Sequence, residues 1–257
     1  MVLRLRSAGC VFAEDEADVL LRAAPDVRTL ERLVTDRAQG LPLEHVVGWA
    51  DFAGLRIAVG LGVFVPRRRT EFLARLVVEA VPSTTVAADR AVVVDLCCGS
   101  GAIAAVVAAQ RPGTELFAVD VHAAAAECAR RNLDGVATVL LGDLYEPLPR
   151  ARRGAVDVIV ANAPYVPTDE LAWLPREARE HEPAVTLDGG RDGVDLHRRI
   201  AADASEWLRP RGLLFVETSS GQAERTLAAF VAHGLVAEVR SSPDEEATVV
   251  VGTRPPS

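Results

Sequence analysis

The chain reads as an α/β protein built on a mostly parallel sheet, and three observations predict it. Short apolar runs rich in β-branched residues recur at 91–95, 115–120, 138–141, 156–161, 212–217, 236–240 and 248–251, each of strand length. Alanine-rich stretches without breakers separate most of them, as crossovers between parallel strands require. The last two runs have no clear helical pattern between them, so one strand near an edge is expected to run antiparallel. The expectation is therefore a seven-stranded, mostly parallel, Rossmann-like sheet preceded by a small helical unit.

The helical unit comes first. Val19, Leu20 and Ala23 share one face, and Leu30, Leu33 and Val34 share another. Pro25-Asp26 supplies a stop and a cap between them, and Gly40-Leu41-Pro42 ends the second. So short a unit buries little alone and is expected to pack on the rest of the chain or on a partner. Phe52 to Val59 alternates loosely around Gly54 and predicts a small hairpin. Thr70 is expected to cap a helix through Phe72, Leu73, Leu76 and Val77, closed by Pro82-Ser83. A polar, small-residue stretch at 82–90 then divides the chain into an N-terminal domain, 1–82, and a larger domain, 83–257.

Chemistry gathers at strand ends. The run Ala91 to Asp95 leads through Leu96-Cys97-Cys98-Gly99-Ser100-Gly101 into an apolar helix. Gly99 and Gly101 are expected to let a ligand approach the backbone, facing the free N–H groups of that helix. Asp95 is expected to receive cationic or hydroxyl groups. Asp120 ends the second strand about twenty residues on, where dinucleotide-type folds bind ribose hydroxyls. Asp143 follows the third strand and is placed to accept from an adenine amino group. The fourth strand runs into Asn162-Ala163-Pro164-Tyr165. A residue before proline is held away from helix, so the Ala163 carbonyl is expected to point outward beside the Asn162 oxygen. Those two acceptors suit the hydrogens of a planar NH2 group, and Tyr165 offers a flat face. Together these features imply methyl transfer from a sulfonium donor, without a metal and without a strong general base.

Composition narrows the classes further. The formal net charge of −8 argues against broad binding to nucleic acid. Arg67-Arg68-Arg69 and Arg150-Ala151-Arg152-Arg153 are the basic clusters, the second read as a solvated loop. No apolar run reaches membrane length, and Met1-Val2-Leu3-Arg4-Leu5-Arg6 lacks a secretory pattern. The four cysteines show no zinc spacing. A reduced, cytoplasmic protein is expected.

From about residue 40 onward the sequence resembles the HemK-type protein-(glutamine-N5) methyltransferases, which are class I S-adenosylmethionine enzymes. Val65-Pro66-Arg67-x-x-Thr70-Glu71 resembles the family's Ile-Pro-Arg-Pro-x-Thr-Glu segment, and Asp95 to Gly101 its Asp-Leu-Gly-x-Gly-Ser-Gly loop. Asn162 to Tyr165 resembles its Asn-Pro-Pro-Tyr. Glu182-Pro183 and Leu187 to Leu196 are similar to its downstream stretch. The resemblance implies S-adenosylmethionine as cofactor, held by Cys97, Cys98, Gly99, Ser100, Gly101, Asp120, Asp143, Leu144 and Asn162, and Asp95 is expected to belong to the same cofactor-binding set. It implies that Asn162, Ala163, Pro164 and Tyr165 hold the accepting glutamine. The implied partner is a peptide-chain release factor carrying a Gly-Gly-Gln motif, engaged by the N-terminal unit. Four departures stand out. Cys97 replaces a glycine, which ordinary dihedrals would tolerate, and Ala163 replaces a proline. Arg68 and Arg69 make the approach more basic than the family's, and the N-terminal unit is shorter. Other acceptors fit the same motif, namely a ribosomal-protein glutamine or the exocyclic amino group of a nucleic-acid base. A module that binds cofactor or partner without transfer is the reading from a different class.

Overall fold

The computed structural model describes residues 1–82, 90–174 and 176–256. Four helices open the chain: α1 (Val2–Ser7), α2 (Ala13–Ala23), α3 (Val27–Ala38) and α4 (Leu43–Val47). Asp26 caps α3 as expected, its carboxylate accepting the Thr29 N–H at 2.8 Å. Leu5, Ala13, Ala17, Leu20, Leu33 and Val34 close a small core of their own. The expected hairpin is β1 (Trp49–Phe52) and β2 (Leu55–Ala58), turned by Ala53 and Gly54, both at positive φ. Helix α5 spans Thr70–Ala80.

The alternating unit comes next as β3 (Val92–Leu96), α6 (Ala102–Gln110), β4 (Glu115–Asp120), α7 (Ala123–Asn132), β5 (Thr138–Leu141) and β6 (Val156–Ala161). Then come α8 (Arg176–His181), α9 (Asp195–Trp207), β7 (Leu208–Thr218), α10 (Ala223–Ala232), β8 (Val236–Ser242) and β9 (Ala247–Thr253). The sheet order is β5-β4-β3-β6-β7-β9-β8, with β9 antiparallel to both neighbours and the other pairings parallel. All seven expected strands are present. The antiparallel strand lies one in from the edge. Strand β3 is buried along its whole length, which is why its sequence is continuously apolar up to Asp95 instead of alternating.

Two apolar layers sandwich the sheet. Val93, Val158 and Val160 face Leu73, Val77, Ile103 and Val107 of α5 and α6. Val94, Ile159 and Leu214 face Ile200, Ala204 and Phe230 of α9 and α10. Phe52 and Ile57 of the hairpin join the first layer. The separate N-terminal core is therefore confined to α1–α4, whereas the hairpin and α5, both ahead of residue 82, pack with the sheet. The reason is the apolar stripe of Phe72, Leu73 and Val77, which α6 and the sheet cover. The expected boundary borders on residues 83–89, which lie outside the described residues. Among the described residues no helix is long and apolar enough to cross a membrane.

Candidate active site

Strand register assembles the site. Leu96 of β3 lies opposite Val119 of β4 and Ala161 of β6, while Asp120 lies opposite Leu141 of β5. The residues that leave these strands, Cys97, Asp120 and Asn162, consequently emerge side by side at the carboxyl edge. This is the point where the chain order reverses, the crevice in which open α/β sheets bind ligands. A cavity of about 1040 Å³ lies there. Cys97, Cys98, Gly99, Ser100, Asp120, Asp143, Leu144, Asn162, Ala163, Pro164 and Tyr165 all line it.

Asp95 and Gly101 do not line it, which corrects two expectations. Asp95 shares the α6-facing side of β3 with Val93, because side chains alternate along a strand. It is 1% exposed, and its Oδ2 accepts the Ala104 N–H of α6 at 3.2 Å. Among the described residues its Oδ1 has no hydrogen-bond partner. Burial pushes its pKa up to about 7. Gly101 sits at φ +78°, and a Cβ there would meet Leu133 Cδ1 at 2.8 Å and Ala129 Cβ at 3.3 Å. Its role is to seat α6 against α7, not to admit a ligand. Cys97 also departs from expectation: its φ is +54°, the left-handed backbone for which glycine is the unstrained residue.

Gly99 is placed differently from Gly101. It lines the cavity, yet a Cβ on it would touch nothing within 4 Å, so the open space beside its backbone is room for a ligand. Asp120 holds the loop, Oδ2 accepting the Gly99 N–H at 2.9 Å and Oδ1 the His122 N–H at 2.8 Å. Each oxygen keeps a further acceptor position, which a ribose diol would use. Burial raises the pKa of Asp120, and the two N–H groups oppose that. The carboxylate of Asp143 is shared with Arg199 at 2.7 Å, so an adenine amino group would meet an ion pair and not a free acid. These groups fit S-adenosylmethionine: an acid for the diol and bare backbone at Gly99. Asn132, for which the sequence gives no signal, braces the loop from α7. Its Nδ2 donates to the carbonyls of Ala58 and Ser100, each at 2.8 Å.

The second half of the site is clamped just as closely. Asn162 Nδ2 donates to Thr70 Oγ1 at 3.2 Å. Thr70 therefore serves the site; the residue at the cap position of α5 is Arg69. Among the described residues no hydrogen bond ends on the Ala163 carbonyl, which leaves it available to a substrate. Burial lifts the Tyr165 phenol to about 12, so the ring stays neutral. Behind it, Gln222 Nε2 donates to the Tyr165 carbonyl at 2.6 Å and to that of Asp192 at 3.3 Å. A Cβ on Gly189 would meet Tyr165 Cα at 2.6 Å, and one on Gly193 would run into Gln222 and the Tyr165 carbonyl. The glycine pattern at 189–193 is thus the imprint of backbone pressed against the tetrapeptide. The basic approach expected from Arg67 to Arg69 is largely neutralised. Arg67 pairs with buried Glu182, Arg69 stands 3.5 Å from buried Glu217, and Asp244, Glu245 and Glu246 also line the mouth. Arg152 pairs with Glu115 at 2.7 Å and Arg153 with Glu206, so the second cluster is an ion-paired surface.

Gly101 and Asp95 each set an expected outcome. Gly101→Ala, strained and pressed on Leu133, is expected to cost about 1–3 kcal/mol in denaturant unfolding; unchanged stability would remove its packing role. Asp95 has a folded pKa of about 7 against an ordinary 3.8, so folding favours its protonated form. Its contribution to stability is lost as pH rises towards about 7 and is level above that. Asp95→Asn is expected to melt higher than the parent at about pH 8, the gap closing as pH falls towards 4. A gap independent of pH would contradict the burial.

A family model described as methyltransferase small domain matches residues 55–173. The chain is 41% identical over 227 residues to the release factor glutamine methyltransferase of Mycolicibacterium smegmatis, covering 86% of this chain and 78% of the relative. It is 37% identical over 213 residues to the release factor glutamine methyltransferase of Streptomyces coelicolor, covering 82% and 75%. Among solved structures it is similar to a methyltransferase from Pyrococcus furiosus, with a TM-score of 0.55, 16% identity and coverage of 79% and 90%. It is also similar to the T. thermophilus 16S rRNA N2 G1207 methyltransferase in complex with AdoMet and guanosine. There the TM-score is 0.55, the identity 20% and the coverage 80% and 49%. At these identities the structural likeness is one of fold. The identity to the curated relatives carries more, and by it the chain belongs to the release factor glutamine methyltransferase family.

Proposed function

We propose that the protein transfers the methyl group of S-adenosylmethionine to the side-chain amide nitrogen of a glutamine, the one in the Gly-Gly-Gln motif of a peptide-chain release factor. The observation that supports this most is the pairing of Leu96 with Ala161, which sets Asn162 and Ala163 beside the loop that begins at Cys97. Asp120 would hold the ribose diol, the Cys97–Gly99 backbone would lie along the donor, and Asp143 and Leu144 would flank the adenine. Bound there, S-adenosylmethionine supplies an electrophilic methyl carbon on a positively charged sulfur.

An amide nitrogen is a poor nucleophile because its lone pair is delocalised into the carbonyl. Asn162 Oδ1 and the Ala163 carbonyl would each accept one hydrogen of the glutamine NH2, fixing its plane and leaving its lone pair aimed along the donor axis. Two acceptors on those hydrogens also raise electron density on nitrogen as positive charge develops there. The amide nitrogen held by Asn162 and Ala163 would take the methyl group through its lone pair, the C–S bonding pair leaving with sulfur, and one of its hydrogens would depart to solvent as a proton. Tyr165, uncharged at any physiological pH, would lie against the amide plane. The helices with their own core, α1–α4, are assigned to grip the release factor.

Methyl-labelled S-adenosylmethionine offered with release factor, ribosomal proteins and RNA tests the reading. Label on the release-factor glutamine is expected; label only in ribosomal protein or RNA would replace the acceptor, and cofactor binding without label would remove the transfer. Asn162→Ala is expected to lower kcat by about a hundredfold or more while cofactor Kd moves by less than about threefold. Equal losses in both would contradict the role given to Asn162. For Asp120→Ala, calorimetry is expected to show cofactor affinity weakened by about tenfold or more. Unchanged affinity would remove the diol contact.

A further inference from the structure

We propose that Arg199 is a positioning residue for cofactor binding: it holds the Asp143 carboxylate so that one oxygen faces the 6-amino group of the adenine, and so sets the site's preference for a 6-aminopurine. This rests on the place given above to the adenine, flanked by Asp143 and Leu144. A carboxylate accepts and does not donate, so it favours an amino group there over a bare ring edge or a carbonyl oxygen. The Asp143 side chain is 38% exposed, and a side chain so open turns freely towards water unless something holds it.

Arg199 Nη2 donates to Asp143 Oδ2 at 2.7 Å, and among the described residues no hydrogen bond ends on Oδ1. Both residues line the cavity. The backbone around this pair is tied down on either side. Two residues after Asp143, the buried Tyr145 Oη donates at 2.9 Å to the carbonyl of Ile200, the residue after Arg199. The Tyr145 ring also stacks on Trp207 of the same helix, with centroids 5.9 Å apart. One residue before Asp143, the Gly142 N–H donates to the Asp120 carbonyl at 3.0 Å. The loop at 142–145 is thus suspended between the strand that carries the ribose acid and the helix that carries Arg199. Ile200 anchors that helix in the core. Leu196, one turn earlier on α9, lines the cavity with Arg199. Arg198 pairs instead with Asp192 and Asp195 and does not line it.

Stability does not account for the pair. Arg199 is 53% exposed, and an ion pair so open adds little to folding. Its effect is on direction. With Oδ2 committed to the guanidinium, the oxygen left to accept is Oδ1, and the helix that fixes Arg199 also fixes where Oδ1 points. Arg199 therefore acts through Asp143 and needs no contact with the base. A planar guanidinium suits this task, whereas the ammonium of lysine is strongly hydrated and sits on a flexible stem.

Calorimetry with two ligands tests this: S-adenosylhomocysteine, and the same molecule with purine in place of adenine, which lacks only the 6-amino group. The wild-type protein is expected to bind the first about tenfold or more tightly than the second. Arg199→Met, which removes the charge and the donors, is expected to weaken the first about fivefold and the second by less than about twofold, so that the preference shrinks. Arg199→Lys is expected to fall between wild type and Arg199→Met. In an Asp143→Ala background, Arg199→Met is expected to change neither affinity further. The melting temperature of Arg199→Met is expected to stay within about 2 °C of the parent, which separates positioning from folding. A preference that survives Arg199→Met intact, or equal losses for the two ligands, overturns the proposal and leaves the place of the adenine standing. A wild-type protein that binds both ligands alike, or neither, overturns both.

Discussion

The lateral pairing of β3 with β6 is the constraint on which the rest depends. Two strands far apart in the chain lie side by side, and their register puts Leu96 against Ala161. Every later feature of the site is a consequence of that one alignment. The loop that leaves β3 turns through small residues and hands its Gly99 N–H to Asp120. The tetrapeptide that leaves β6 keeps two oxygens for a substrate. A register shift of one residue would turn Asn162 to the other face of the sheet, and no loop rearrangement could restore it.

Buried acids at strand ends do the organising. Asp95, Asp120 and Glu217 each stand at or next to the carboxyl end of a strand, and each grips something the site needs. Asp95 holds the first turn of α6, Asp120 holds the glycine loop, and Glu217 stands 3.5 Å from Arg69. Burial pushes all three pKa values up. A cationic donor and aligned N–H groups are what such carboxylates gain from. On the opposite side of the tetrapeptide, glycines 189 and 193 and Gln222 press on the Tyr165 backbone, so the acceptors are fixed from both faces.

Much of this is legible in the sequence because it is local. Strand length, β-branching and strand-end acids depend on a few neighbouring residues, and all seven strands and the cavity residues Cys97, Gly99, Asp120 and Asn162 are readable that way. The illegible part depends on contacts distant in sequence. Asp95 carries the same chemistry as Asp120, yet one faces a helix and the other the cavity, which only the strand's alternation in three dimensions decides. Gly101 resembles Gly99 in sequence but faces Leu133. Thr70 has the composition of a helix cap and is spent on Asn162 instead. Gln222 and Asn132 are polar residues in helical surroundings, and their partners, Tyr165 and Ser100, lie 57 and 32 residues away. The left-handed backbone of Cys97 is signalled only by the glycine that the resembled family carries there, since cysteine itself does not mark it.

The most direct measurement is a crystal structure of the protein with the demethylated cofactor and a Gly-Gly-Gln peptide bound together. The account predicts the glutamine amide nitrogen about 3 Å from both Asn162 Oδ1 and the Ala163 carbonyl oxygen, with the cofactor sulfur on the far side of the space left for the methyl. A glutamine held elsewhere in the cavity, or an Asn162 amide presenting its nitrogen to the peptide, would contradict it.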